Sequence, residues 1–359
     1  MGCLRARLAV ALVGSATLLA CAGEDPASPG PMPAPRSFRM GFSAIPARPE
    51  LDLALRTVDV WARRADAGLV LVDPPWTELL AGRDPEALVR ANPLGLADYF
   101  RGKGLRIVAS IDPTNGLDRA SEAAALVAAG RSLGEPTVRR LYRRYVGAFV
   151  TLVRPEAITL ASETNLVRAI APRRVYQAVV AAAHEAAAEA RLRDPALRLM
   201  TTVQVEVAHG RLAGGAGAGI AVDRADFPFI QALGLSSYPY LGGFTEPDQL
   251  PLDYYSSLVA DAPLPLLVIE GGWTSVGLGD AIPSSPDKQR RYIERHARIL
   301  DTARAEAWFQ ITFTDLDIAG FPFGQGLLPF AFLGLVDASL QPKPALAAWD
   351  AAFARPLQR

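Results

Sequence analysis

The chain has 359 residues, half of them hydrophobic, enough for one large core or two smaller ones. Lysine plus arginine number 37, as do aspartate plus glutamate, so no net field recruits nucleic acid or an acidic surface, and a neutral small substrate is the default partner. The histidines, His184, His209 and His296, form neither an HxH pair nor an HExxH helix, which argues against a metal-dependent hydrolase, and no cofactor is expected.

At the N-terminus Arg5 and Arg7 precede an apolar run from Leu8 to Ala20, and Cys21 follows. A charged start, a short apolar stretch and small residues in that order predict an export signal over residues 1–20. The run is short for a bilayer span, and Glu24 to Arg36 is rich in Pro, Ser, Ala and Gly, which predicts a tether over residues 21–37. Leu18-Leu19-Ala20-Cys21 resembles the lipobox of bacterial lipoproteins, with Leu19 bulkier than the residue usual there. The resemblance implies a lipidated Cys21 that anchors an exported protein to a membrane of the cell envelope, at the outer membrane or facing the periplasm. A plain secretory signal cut near Ala20 is the alternative. Cys3 lies in the leader, so a mature chain would keep one thiol and no disulfide.

From Phe38 onward, short β-rich runs alternate with helical patterns, the rhythm of βα units that build a parallel sheet. The runs are Phe38–Ser43, Gly68–Asp73, Leu105–Asp112, Ala157–Glu163, Leu197–Val207, Leu233–Tyr238, Leu266–Glu270 and Ala307–Thr314. Several are apolar nearly throughout, as strands covered on both faces are. Helices are expected at Leu51–Ala65, Pro93–Lys103, Pro136–Val153, Pro172–Arg193, around Tyr254–Val259, at Pro286–Ala303 and near Pro344–Phe353. No long linker interrupts the order, so the expectation is a single α/β domain, a (β/α)8 TIM barrel over residues 38–356, present as a monomer.

Alternation along Ala157–Glu163 puts Thr159 and Ala161 on the side of Glu163, facing the barrel interior, with Ile158 and Leu160 outside. The same alternation in Leu266–Glu270 puts Val268 inside and Leu267 and Ile269 outside. Both glutamates end their strands, at the face where barrels build active sites. A charged residue ending an apolar strand loses hydration, so it needs a partner or a task. Paired carboxylates suit glycoside hydrolysis, where one protonates the leaving oxygen and the other attacks the anomeric carbon; about 5–5.5 Å between them gives retention.

Three segments carry a family likeness: Ile158 to Asn165, Ser236-Ser237-Tyr238-Pro239-Tyr240, and Val268-Ile269-Glu270-Gly271-Gly272-Trp273. Together with the tail from Gly334 to Trp349, they resemble clan A of the glycoside hydrolases. The resemblance implies Glu163 as acid/base on the fourth strand and Glu270 as nucleophile on the seventh, in a retaining O-glycoside hydrolase acting on a poly- or oligosaccharide. It further implies a hydrogen bond from Tyr238 to Glu270 and a sugar floor made by Trp273 or Trp308. Burial of Trp273 beneath a loop is the alternative. The position before Glu163, usually Asn in these families, is Ser162, so the sugar 2-hydroxyl contact would be lost, bridged by water or supplied by Asn165. Asp112 and Gln204 share the inward side with Thr202 and are expected to line the substrate site, while Asp73 and Trp76 after the second strand either line the groove or are simply exposed by the Pro-Pro turn there. Glu206 is a rival third acid, read here as a salt-bridged barrel residue. The alternative for the whole chain is a catalytically inactive carbohydrate-binding or envelope-scaffolding lipoprotein.

Overall fold

A computed structural model describes residues 34–321 and 324–358. The export signal, Cys21 and nearly all of the tether lie outside the described residues. Residues from Pro35 onward form one compact unit.

Eight strands close into a barrel in sequence order, and every neighbouring pair is parallel. They are β1 (Arg39–Ser43), β2 (Ala67–Val72), β3 (Arg106–Ile111), β4 (Ala157–Thr159), β5 (Arg198–Gln204), β6 (Ala232–Ser237), β7 (Leu266–Gly271) and β8 (Ala307–Gln310). This is the expected (β/α)8 barrel. All the expected helical regions carry helix, with Tyr254–Val259 reduced to a short turn of 3-10 helix at Ser256–Val259. Short helices that the periodicity did not announce, including Pro85–Ala91 and Ala221–Asp226, fill connections between strands and longer helices.

Two apolar layers explain why the strands read as almost continuously hydrophobic. The lumen is filled from the strands alone, by Leu69, Val108, Met200, Leu267, Ile269 and Phe309 among small alanines. The outer faces pack on the helices, with Phe42, Trp61, Phe100, Trp308 and Trp349 in one large cluster. Phe309 is accommodated because its ladder partner is Gly41, where a Cβ would stand 2.8 Å from the Phe309 ring and 2.1 Å from the Ala67 carbonyl oxygen.

Alternation holds for Ala157, Ile158 and Leu160 but not to the ends of the two critical strands. β4 stops at Thr159, and Ala161 joins the outer cluster. In β7 the ladder slips: Leu235 pairs with Val268 but Ser236 pairs with Glu270, so Ile269 is an extra residue. Leu267 and Ile269 therefore fill the lumen and Val268 faces the helices, the reverse of the expected assignment. The bulge absorbs the parity change, and Glu270 still turns inward beside Ser236.

The expected boundary at residue 37 also shifts. Arg36 is buried, forms an ion pair with Asp66 at 2.7 Å, and bridges Leu357 in parallel, so these residues belong to the barrel and not to the tether. Of the helical histidines, His184 is exposed and His296 is fully buried between Tyr292 and Trp308.

Candidate active site

The carboxyl ends of the strands bring Asp73, Asp112, Glu163 and Glu270 together around one arginine, Arg119. Glu163 follows the irregular end of β4. Its backbone N–H donates to the Thr202 hydroxyl at 2.7 Å, and its carbonyl accepts from Leu166 and Val167 at the start of the helix Thr164–Ile170. Between these fixed points the backbone is left-handed, φ 46° and ψ 47°, a conformation costing a non-glycine residue about 1–2 kcal/mol. The strain is held because neighbours on both sides over-determine the position.

The Glu163 side chain is buried and fully engaged. Oε1 accepts from the Ser236 hydroxyl at 2.7 Å, and Oε2 accepts from Nε of Arg119 at 2.8 Å. Arg119 is buried as well, and its Nη1 donates to Asp112 Oδ2 and, at 3.0 Å, to the Thr114 hydroxyl. Asp112 in turn accepts from the Thr114 backbone at 2.9 Å and its hydroxyl at 2.7 Å. Burial alone would lower the proton affinity of the guanidinium, but the charges of Asp112 and Glu163 raise it instead.

Glu270 keeps partial solvent access and accepts from the Tyr238 hydroxyl at 2.7 Å. Burial and then the charge of Glu163 push its carboxyl up to about 7, against the pull of the Tyr238 bond and of Arg119. Ser236 stands between the two, paired with Glu270 in the ladder and hydrogen-bonded to Glu163. Burial and the neighbouring Asp112 push Asp73 up to about 6; it borders a cavity of about 310 Å³ shared with Glu78, Asn92 and Tyr145.

Several residues expected to touch substrate are committed elsewhere. Asn165 is fully buried, donating to the Gln204 carbonyl at 2.9 Å and accepting from the Gln204 backbone N–H at 2.8 Å, so it splices the segment after β4 onto β5 and cannot replace a sugar contact. Gln204 caps the short helix Val205–Ala208 through Val207 N–H and donates to Glu206 at 2.6 Å. Trp308 lies on the outer face of β8, packed on Phe38, His296 and Trp349, because alternation from the lumen residue Ala307 points it at the helices. Trp273 is completely buried, in ring contact with Tyr240 and Tyr292 and bonded to Ser284, which makes it core and not a floor. Trp76 is likewise buried against Tyr142. Ser162 differs: its hydroxyl bonds to no described residue, and it sits directly before Glu163.

Glu206 is fully buried and has no salt bridge among the described residues. Its carboxylate accepts from Ser237, Tyr254, the Tyr238 backbone and Gln204, and burial raises its proton affinity against those donors. Asp315, after β8, is buried and ion-paired with Lys343 at 2.6 Å.

Two members of the site were not singled out from sequence. Ser236 lies inside the quoted strand-six segment, and its even spacing with Gly234 and Ala232 marks the lumen side. Arg119 ends the turn-rich stretch Asp112-Pro-Thr-Asn-Gly-Leu-Asp-Arg, where a solvated loop cation is the ordinary expectation.

Comparison with known protein families finds no match, and neither does comparison with curated proteins. Solved structures do resemble this one. A GH5_18 protein from Streptomyces cattleya, solved with GlcNAc, aligns with a TM-score of 0.65 at 16% identity over 91% of this chain and 83% of its own. An exo-β-1,4-mannosidase from Opitutaceae bacterium strain TAV5 gives 0.64 at 18% identity over 89% of this chain; the match spans 60% of that mannosidase. Xylanase 10B from Thermotoga petrophila RKU-1, solved with xylobiose, gives 0.58 at 14% identity over 88% of this chain and 94% of its own. The chain shares the (β/α)8 barrel of these glycoside hydrolases.

Proposed function

We propose that the protein is a retaining O-glycoside hydrolase acting on a poly- or oligosaccharide, with Glu163 as acid/base and Glu270 as nucleophile. The observation that carries this reading is the placement of two glutamates at the carboxyl ends of β4 and β7, with Ser236 hydrogen-bonded to Glu163 and beside Glu270 in the strand ladder. A Glu270 oxygen attacks the anomeric carbon as the glycosidic C–O bond breaks and Glu163 gives its proton to the leaving oxygen. Glu163 then takes a proton from water, whose oxygen displaces Glu270 from the sugar. Tyr238 supports the ionised nucleophile through its hydrogen bond. Ser162, whose hydroxyl bonds to no described residue, directly precedes Glu163 and is our candidate for a sugar contact. The mannosidase and xylanase neighbours make β-linked neutral polysaccharides the first substrates to screen.

A 2-deoxy-2-fluoro glycoside with a good leaving group tests the assignment: mass spectrometry should find the trapped sugar on Glu270. Glu163→Ala should keep that label, lose about 10²–10⁴-fold in kcat on substrates with poor leaving groups, and be rescued by azide. A wild-type protein that hydrolyses screened glycosides but carries the label on another residue refutes the roles.

A second reading, an inactive carbohydrate-binding or envelope-scaffolding protein, is favoured by two observations. Ser162 replaces the expected Asn, and Arg119 already occupies Oε2 of Glu163. Sugar binding without turnover or label would establish it. For either reading we propose attachment to a membrane through lipidated Cys21; labelled palmitate should enter the expressed chain and not its Cys21→Ser variant.

A further inference from the structure

We infer that Arg119 is a positioning residue that decides which of the two glutamates carries the pair's shared proton, keeping Glu163 the anionic member until a ligand reaches it. The catalytic consequence rests on the glycosidase reading; the placement of the proton does not.

The geometry favours this placement. An arginine Nε–H can only donate, so the Glu163 oxygen facing it at 2.8 Å supplies a lone pair, and the guanidinium charge at that distance favours the carboxylate form. The other oxygen is engaged by Ser236 at 2.7 Å. On Glu270, Oε1 accepts from Tyr238, while Oε2 has no hydrogen-bond partner among the described residues and is open to a proton. Asp112 grips Arg119 from its far side, so the guanidinium is braced between two carboxylates. Besides Arg119 and Asp112, the ionisable groups whose charges reach Glu163 are Tyr238 at the end of β6 and Glu270 on β7, and neither is a cation.

Double displacement needs the opposite arrangement, with the proton on Glu163 and charge on Glu270. Both arrangements hold one proton, so pH cannot convert one into the other; moving or removing Arg119 can. A leaving-group oxygen that reaches Glu163 approaches a carboxylate already held by Arg119 and Ser236.

The test is a pH titration of the protein labelled with ¹³C in its glutamate carboxyls, followed by NMR, with Glu163→Gln and Glu270→Gln assigning the signals. In the wild type the Glu270 signal should titrate near 7 while Glu163 stays ionised. In Arg119→Gln, Glu163 should take up part of the titration, and loss of the last proton should move up by about 1 pH unit or more. Asp112→Asn removes an anion and leaves Arg119 wholly to Glu163, so the same step should move down. Arg119→Lys keeps the charge and should stay near the wild type. An unchanged Glu163 signal in Arg119→Gln overturns the inference; if that variant does not fold, an upward or absent shift in Asp112→Asn overturns it. With a hydrolysable glycoside, the alkaline limb of kcat/KM should move in the same two directions, whereas a merely structural Arg119 would lower rates without moving it. The expected NMR shifts without turnover of any glycoside would uphold the placement of the proton and defeat the glycosidase reading.

Discussion

Tyr238 donates its phenolic hydrogen to Glu270 at 2.7 Å, the single hydrogen bond which that carboxylate makes to the described residues. The bond favours the ionised form, opposing burial and the charge of Glu163. Tyr238→Phe should therefore raise the proton affinity of Glu270 above its present position near 7, moving the alkaline limb of kcat/KM, which reports loss of the pair's shared proton, upward. The same substitution should cost about 1–2 kcal/mol of stability above that pH, where the carboxylate is left short of a donor. A pH–rate profile and denaturant unfolding at pH 8 check both effects.

Glu270 and His296 should act on stability in opposite senses. Glu270 has its folded proton affinity raised from 4.5 to about 7, so the folded state holds the extra proton between those values and stability falls as pH rises through them. His296 is lowered by burial from 6.5 to about 3, so the unfolded state holds the extra proton and stability falls as pH drops below 6.5. Each slope is about 1.4 kcal/mol per pH unit, and between 4.5 and 6.5 they offset one another. Relative to wild type, Glu270→Gln should gain stability on going from pH 4.5 to 6.5, and His296→Phe should lose it. Urea midpoints at the two pH values decide the matter.

Glu206 holds together the ends of β5 and β6 through four donors. Glu206→Ala leaves those donors without an acceptor in a site closed to solvent and should cost about 3 kcal/mol or more. Glu206→Gln should cost about 1 kcal/mol, because the Ser237 and Tyr254 hydroxyls can turn to accept from an amide. Near-equal unfolding midpoints for the two variants would refute this account.

Trp273 is core. Trp273→Ala should lose about 3–5 kcal/mol, and Trp273→Phe roughly half of that. Sugar affinity measured by titration calorimetry on the folded variants should match the wild type; a selective loss of binding in Trp273→Phe would restore the floor role.

The barrel was legible because eight apolar runs separated by helical periods leave few other ways to bury both faces of a sheet. The two glutamates were legible for the same reason, as charges ending strands that otherwise carry none. What failed was alternation applied past a discontinuity. A bulge at Ile269 and the early end of β4 change which side faces inward, and nothing in the local residues marks either event. Trp308 was misplaced for want of the strand's phase, while Asn165 and Gln204 look like ligands until their partners across β4 and β5 are seen. Arg119 and His296 depend on distant segments: a loop arginine becomes buried only because two acids converge on it, and a helical histidine only because three aromatic side chains close around it.

The parallel bridge between Arg36 and Leu357, with Arg36 N–H on the Pro356 carbonyl and Gln358 N–H on that of Arg36, makes the two chain ends of the barrel immediate neighbours. It lies on the side where β1 begins, away from the glutamates. Residues 35–358 are accordingly suited to circular permutation: a short linker can join the old ends, and a cut in the exposed turn near Gly104, ahead of β3, can supply new ones without touching the mouth.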